Sequence, residues 1–231
     1  MLKLISSMAT RQLLADLAAQ WLRMSGVEVT IESVGGVDAA KRVVAGEAFD
    51  GVVLASDAID KLMAAGCVLA GSRVDLVQSS VAVAVIAGTA VPDISSEVAL
   101  RNAIVAAPTI GYSTGPSGVA LCKLFERWGL MQELQSRIVQ APPGVPVGTL
   151  VARGEVALGF QQLSELMGLS GITVVGTLPD AVAITTVFSA GVCAASAQPE
   201  ALTRLFAFMA SSEVAQVKLQ HSMPALSFSA T

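Results

Sequence analysis

Charge is scarce in this chain. Only 14% of its 231 residues are Asp, Glu, Lys or Arg, and the formal net charge is −4. No cluster of Lys or Arg stands out. Neutralising a phosphate backbone needs a basic stripe, so nucleic acid is not an expected partner. Histidine is scarcer still, since His221 stands alone. That leaves little for His-paired metal sites or a Ser-His triad, and no metal is expected. Cys67, Cys122 and Cys193 are far apart, lack a C-x-x-C spacing and sit among apolar neighbours. They read as small buried hydrophobes. No G-x-x-x-x-G-K-[ST] and no G-x-G-x-x-G occurs, which argues against nucleotide hydrolysis and dinucleotide binding. No cofactor is expected.

Long apolar runs are missing too. Residues 81–92 are too short to span a bilayer, and 181–197 are interrupted by Thr185, Thr186, Ser189 and Gly191. No membrane insertion is expected. The first residues, Met1-Leu2-Lys3-Leu4-Ile5, lack a charged segment followed by a long apolar one. The expectation is a cytoplasmic protein or one whose leader has been removed, and the compartment stays open.

What is present is a 53% hydrophobic, Ala/Val/Leu-rich composition and an alternation of short strands with helices. The spacing predicts a helix over 10–24 from Leu13, Leu14, Leu17, Ala18, Trp21 and Leu22, with Gly26 as its stop. Strands are predicted over 2–6, 27–33, 51–54, 74–78, 81–86, 109–112, 156–160, 173–177 and 181–189. Helices are predicted over 38–45, 57–65 (capped by Ser56 or Asp57), 96–106, 119–128, 131–138, 146–153, 199–210 and 212–220. The short stretch 162–167 reads as a helical turn, and His221 as an exposed helix end. This is an α/β pattern, a mostly parallel sheet covered on both faces. It breaks near 79–82 and 185–189, where two β stretches can cross between lobes. The expected lobes are 1–80 plus 187–231, and 81–186.

Ligands of such sheets sit beyond the carboxyl ends of strands. Four loops occupy those positions: Ser6-Ser7-Met8-Ala9-Thr10, Gly35-Gly36-Val37-Asp38, Tyr112 to Gly118, and Gly144-Val145-Pro146-Val147. Two of them are glycine-rich and open helices. A helix start carries unpartnered N–H groups and partial positive charge, and glycine admits close approach, so such ends hold an anion without a buried Lys or Arg. Arg11 lies close enough to fork a carboxylate, or is solvated. Gln161 and Gln162, with Ser164 and Glu165, cluster polar groups just after a buried strand; Glu165 either serves the site or is structural, capping a helix or pairing with a nearby Arg.

These residues carry a resemblance. Ser7-Met8-Ala9-Thr10, Ala45-Gly46-x-x-x-Asp50-Gly51-Val52-Val53, Gly71-Ser72-Arg73-Val74-Asp75-Leu76, Tyr112-Ser113-x-x-x-Ser117-Gly118, Ala152-Arg153-Gly154-Glu155 and Gly159-Phe160-Gln161-Gln162-x-Ser164-Glu165 occur in order over nearly the whole chain. Together they resemble the type II periplasmic solute-binding proteins, in particular the molybdate-binding branch of ABC transporters. The resemblance implies two α/β lobes, each a mixed, mostly parallel sheet flanked by helices. Two crossing strands join them, and they close on a small anion held by hydroxyls and backbone N–H groups. The implied contacts are Ser7, Gly36, Val37, Ser117, Gly118 and the stretch Gly144, Val145, Pro146 and Val147. Met8, Thr10, Arg11, Tyr112, Ser113, Gln161 and Gln162 are further candidates from the same loops. An ABC permease is the implied partner.

The chain departs from the molybdate binders at two places. Gly36 stands where they usually carry serine, and Gln161-Gln162 where they often carry tyrosine. Lost hydroxyls and added amides point to a larger anion, a di- or tricarboxylate. The Phe160-Gln161-Gln162-x-Ser164-Glu165 pattern is also similar to a branch that includes bacterial aconitate isomerases. The expected function is therefore capture of a small anion. The alternative is isomerisation of an unsaturated tricarboxylate, with Glu165 as base.

Overall fold

The computed structural model describes residues 1–226; residues 227–231 of the first expected lobe lie outside the described part. In chain order the elements are β1 (Leu2–Ser7), α1 (Arg11–Ser25), β2 (Val29–Val34), α2 (Gly36–Val44), β3 (Gly51–Ala55), α3 (Ser56–Ala64) and β4 (Val74–Ile86). Next come α4 (Glu97–Ala106), β5 (Ile110–Tyr112), α5 (Pro116–Arg127), α6 (Met131–Leu134), β6 (Ile138–Gln140), α7 (Val147–Ala152), β7 (Leu158–Gln162) and α8 (Leu163–Leu166). The chain ends with β8 (Ile172–Thr177), β9 (Thr185–Val192), α9 (Pro199–Ala210) and α10 (Ala215–Gln220). Its described residues form two compact units, 1–79 with 186–226, and 80–185.

In the first unit β1 pairs in parallel with both β2 and β3, and β3 pairs antiparallel with β9. β3 is apolar on both faces, and β1 buries Leu2 and Leu4 on one face and Ile5 on the other, as expected of strands covered by helices on either side. One core forms where α1 and α9 pack on the sheet through Leu13, Leu14, Leu17, Leu202, Phe206 and Met209. The other forms where α2 and α3 cover the opposite face through Ala39, Val43, Ile59 and Leu62. The Asp50-Gly51 pair is structural. Asp50 accepts from the Lys3 N–H at 2.9 Å and from the Ser196 hydroxyl at 2.8 Å. A Cβ at Gly51 would lie 2.8 Å from the Phe206 ring.

In the second unit β7 pairs in parallel with β5, β5 in parallel with β6, and β4 antiparallel with both β7 and β8. Phe125 and Phe160 meet edge-on at 6.2 Å at the centre of its core. α7 lies on the other face, against Gly111 and Gly159. A Cβ at Gly159 would lie 2.4 Å from Val151, so that glycine sets how closely α7 approaches the sheet.

The elements depart from the sequence expectations in several places. The strand expected over 181–189 starts at Thr185, after a 3-10 turn over Asp180–Val182, and the helix expected over 212–220 opens as a 3-10 turn over Ser212–Val214. Residues 74–78 and 81–86 are one strand: Ser79 and Ser80 interrupt the apolar run but not the ladder, and the Ser80 and Thr185 hydroxyls lie 3.2 Å apart. The helix expected over 131–138 ends at Leu134, and Ile138–Gln140 pairs with β5 instead. α3 is capped by Ala55 rather than by Ser56 or Asp57, because the Ser56 hydroxyl donates to the Val187 carbonyl. His221 is mostly covered, its Nε2 2.8 Å from Asp16. Among the described residues no helix is long and apolar enough to cross a membrane.

Candidate functional site

In the first unit, three parallel neighbours put their carboxyl ends side by side. Each is followed at once by a helix start: a 3-10 turn over Met8–Thr10 leading into α1, then α2, then α3. At none of these starts does a capping side chain accept a hydrogen bond. Their N–H groups are left for a ligand or water. Ser7 stands in the middle. Its hydroxyl is buried and has no hydrogen-bond partner among the described residues, and a buried hydroxyl without a partner is costly. Gly36 abuts it: a Cβ there would lie 3.7 Å from the Ser7 Cβ. Thr10 is buried, and its hydroxyl donates to the Ser7 carbonyl at 3.1 Å, so it shapes the turn. Met8 is half-buried, while Val37 and Arg11 are exposed. Arg11 makes no hydrogen bond or ion pair among the described residues. The α3 start was expected from the sequence as a capped helix but was not counted among the ligand-facing loops. The signal was there, since Ala55-Ser56-Asp57 follows a buried strand directly, but Ser56 and Asp57 read as caps.

In the second unit, the Tyr112 to Gly118 loop joins β5 to α5. Gly115 caps the helix in extended backbone and Pro116 takes the first helical position. The Ser113 and Ser117 hydroxyls lie 3.0 Å apart. Gly118 is required sterically, because a Cβ there would come 1.8 Å from the Ser113 carbonyl oxygen. Tyr112 turns against α5 with its hydroxyl beside the Cys122 thiol, and burial raises both pKa values. Val145 and Pro146 are half-buried, and Pro146 precedes α7. The Val147 side chain is fully buried between Gly111 and Gly159. Only its backbone remains for a ligand.

Gln161 and Gln162 are successive residues of a strand and so point to opposite faces. Both are buried. The Gln161 carbonyl accepts from the Gly148 N–H at 3.2 Å, and its amide donates to Oε2 of Glu165 at 2.7 Å. Glu165 thus bonds an amide rather than an arginine. It keeps some exposure, yet enough protein surrounds its carboxyl for lost solvation to raise the pKa from 4.5 to about 7, against the lowering effect of the Gln161 bond. A carboxyl poised there can give and take protons near neutrality.

The two units therefore offer N–H groups and hydroxyls suited to an anion, and one acid–base group. A family model described as bacterial extracellular solute-binding protein matches residues 2–223. The chain belongs to that family. An aconitate isomerase from a Pseudomonas species is 37% identical over 221 residues, 93% of this chain and 84% of that protein. Among solved structures, the periplasmic molybdate-binding protein of Azotobacter vinelandii superposes with a TM-score of 0.82 at 21% identity, over 98% of this chain and 100% of that one. The sulfate-binding protein SubI of Mycobacterium tuberculosis superposes at 0.78 and 15% identity, over 96% and 86%. The solute-binding chain thus has the fold of periplasmic binding proteins and stands in the molybdate-binding-protein-like branch, with an aconitate isomerase among its relatives.

Proposed function

We propose that this solute-binding protein isomerises a small unsaturated tricarboxylate of the aconitate class. The observation that carries this reading is Glu165, a carboxyl with a pKa of about 7 and one oxygen held by an amide. A receptor that only binds anions gains nothing from such a group, since its ionised form repels the ligand. An isomerase needs it. The reaction is an allylic proton shift. The Glu165 carboxylate takes a proton from the methylene carbon as the carbon–carbon double bond moves one position along. The intermediate charge spreads onto the adjoining carboxylate. The same proton then returns to the far allylic carbon, so atoms and electrons balance without an oxidant or a co-substrate.

A tricarboxylate has three anionic groups, each of a kind that uncapped N–H groups and hydroxyls receive. The helix starts with Ser7 and Gly36 offer such donors in the first unit, and the Ser113 and Ser117 hydroxyls with the α5 start offer them in the second. Arg11, exposed beside Ser7, would neutralise part of the charge. The departures from the molybdate pattern, Gly36 and Gln161-Gln162, fit a ligand larger than an oxyanion.

Proton NMR of trans-aconitate incubated with the protein tests the reading. The expected outcome is growth of the cis isomer, slowed on the order of 10²-fold or more by Glu165→Gln. A second reading, an anion receptor delivering to an ABC permease, is favoured by the uncapped helix starts around Ser7, which bind without chemistry. Tight aconitate binding with no isomer formed would establish that receptor and sink the isomerase.

A further inference from the structure

We propose that Gln161 is the positioning residue of Glu165: its amide, oriented by the Gly148 N–H, pins one carboxyl oxygen and leaves the other to meet the substrate carbon. The inference rests on the isomerase reading of Glu165 and names what sets the geometry of that base.

A backbone N–H can only donate. The Gly148 N–H lies in the first turn of α7 and has no acceptor in its own helix. It donates to Gln161, so the amide must present its carbonyl to α7, and its NH₂ to α8. The polarity of the amide is fixed by the fold. Gly148 is held in place by contact with the element that carries the base, since a Cβ there would lie 2.6 Å from Leu169 and 3.1 Å from Leu166. The Gly148–Gln161–Glu165 chain thus ties α7, β7 and α8 into one frame.

An NH₂ aimed at a carboxyl favours the ionised form and holds one oxygen. The other elements facing Glu165 do not compete. Neither α7 nor β7 carries a titratable side chain, and nor do β8 and the 81–86 part of β4, which pack on α8 through Leu166. Arg153 and Glu155, just past α7, lie 3.9 Å from one another. Gln161 is thus the polar partner that opposes burial at this carboxyl.

The test is Gln161→Met and Gln161→Glu in the full chain. The first removes both hydrogen bonds at similar volume. The second keeps an acceptor for Gly148 but sets a carboxylate against Glu165, and serves if the first fails to fold. The Glu165 titration is read directly by carbon NMR of glutamate-labelled protein, assigned by its loss in Glu165→Gln. Its midpoint is expected to rise by about one pH unit in Gln161→Met and further in Gln161→Glu. The acidic limb of kcat/KM, below which the base is protonated, should move to higher pH with it, with kcat falling while KM holds. An unmoved Glu165 midpoint in a folded variant overturns the inference. Because the titration is read without turnover, its shift stands even if the wild-type protein isomerises nothing, which would count against the function alone.

Discussion

Glu165 carries a cost that varies with pH. Its carboxyl pKa is about 7 in the folded chain against 4.5 for an ordinary glutamate. Below pH 4.5 it is neutral in both states and folding is unaffected. Between 4.5 and 7 the unfolded chain ionises while the folded one holds its proton. Stability therefore falls as pH rises through that window and levels off above it, by at most about 3 kcal/mol. Glu165→Gln keeps an acceptor for the Gln161 amide and removes the titration. The variant should equal the wild type in denaturant unfolding at pH 4 and exceed it at pH 8. Equal stability at pH 8 would show that burial does not perturb this carboxyl. A group that weakens the fold at working pH is the kind kept for chemistry, as strained groups at sites generally are.

At the scale of elements, the glycines of the second unit separate structure from site. Gly118→Ala places a Cβ 1.8 Å from the Ser113 carbonyl, which is backbone and cannot swing aside. The start of α5 or the loop before it must shift, parting the Ser113 and Ser117 hydroxyls. The expected result is a stability loss of about 1–3 kcal/mol and at least tenfold weaker aconitate binding by calorimetry. Gly115→Ala three residues earlier meets only the Ser113 hydroxyl at 3.9 Å, with ordinary backbone angles. It should leave both quantities nearly unchanged. Similar losses in both would mean that glycine itself, not this contact, matters in the loop.

These elements also show what the sequence could convey. The α1 stripe and the stop at Gly26, in left-handed conformation at φ 70°, are local signals and were legible. So was α9, bounded by Pro199 and Ala210. β6 was not: three residues have no readable period, and they become a strand only because β5, some 28 positions earlier, offers an edge. The continuity of β4 through Ser79 and Ser80 depends likewise on partners elsewhere in the chain. At the candidate site the sequence marked the loops, since glycines and serines after buried strands are visible in one dimension. It did not reveal that the Gln161 amide faces Gly148 on one side and Glu165 on the other. It equally hid that Val147 spends its side chain on the core, or that Tyr112 turns to Cys122.

At the scale of the whole molecule, the question is which anion stabilises the folded chain. A ligand that binds only the native state adds RT ln(1 + [L]/Kd), about 2.7 kcal/mol at one hundred times Kd. For a chain of 231 residues that corresponds to a rise in Tm of about 5–10 °C. The net charge of −4 opposes a trianion at long range, so such a rise must come from the donors at the helix starts rather than from bulk attraction. The expected pattern is a rise with cis- and trans-aconitate, a smaller one with citrate, which is saturated at the reacting carbons, and none with molybdate, tungstate or sulfate. Ser7→Ala should shrink the rise, because the buried hydroxyl loses the ligand that satisfies it. A rise with molybdate or tungstate alone would reverse the reading: the tetrahedral oxyanion would then be the ligand, and Glu165 would have no substrate carbon to act on.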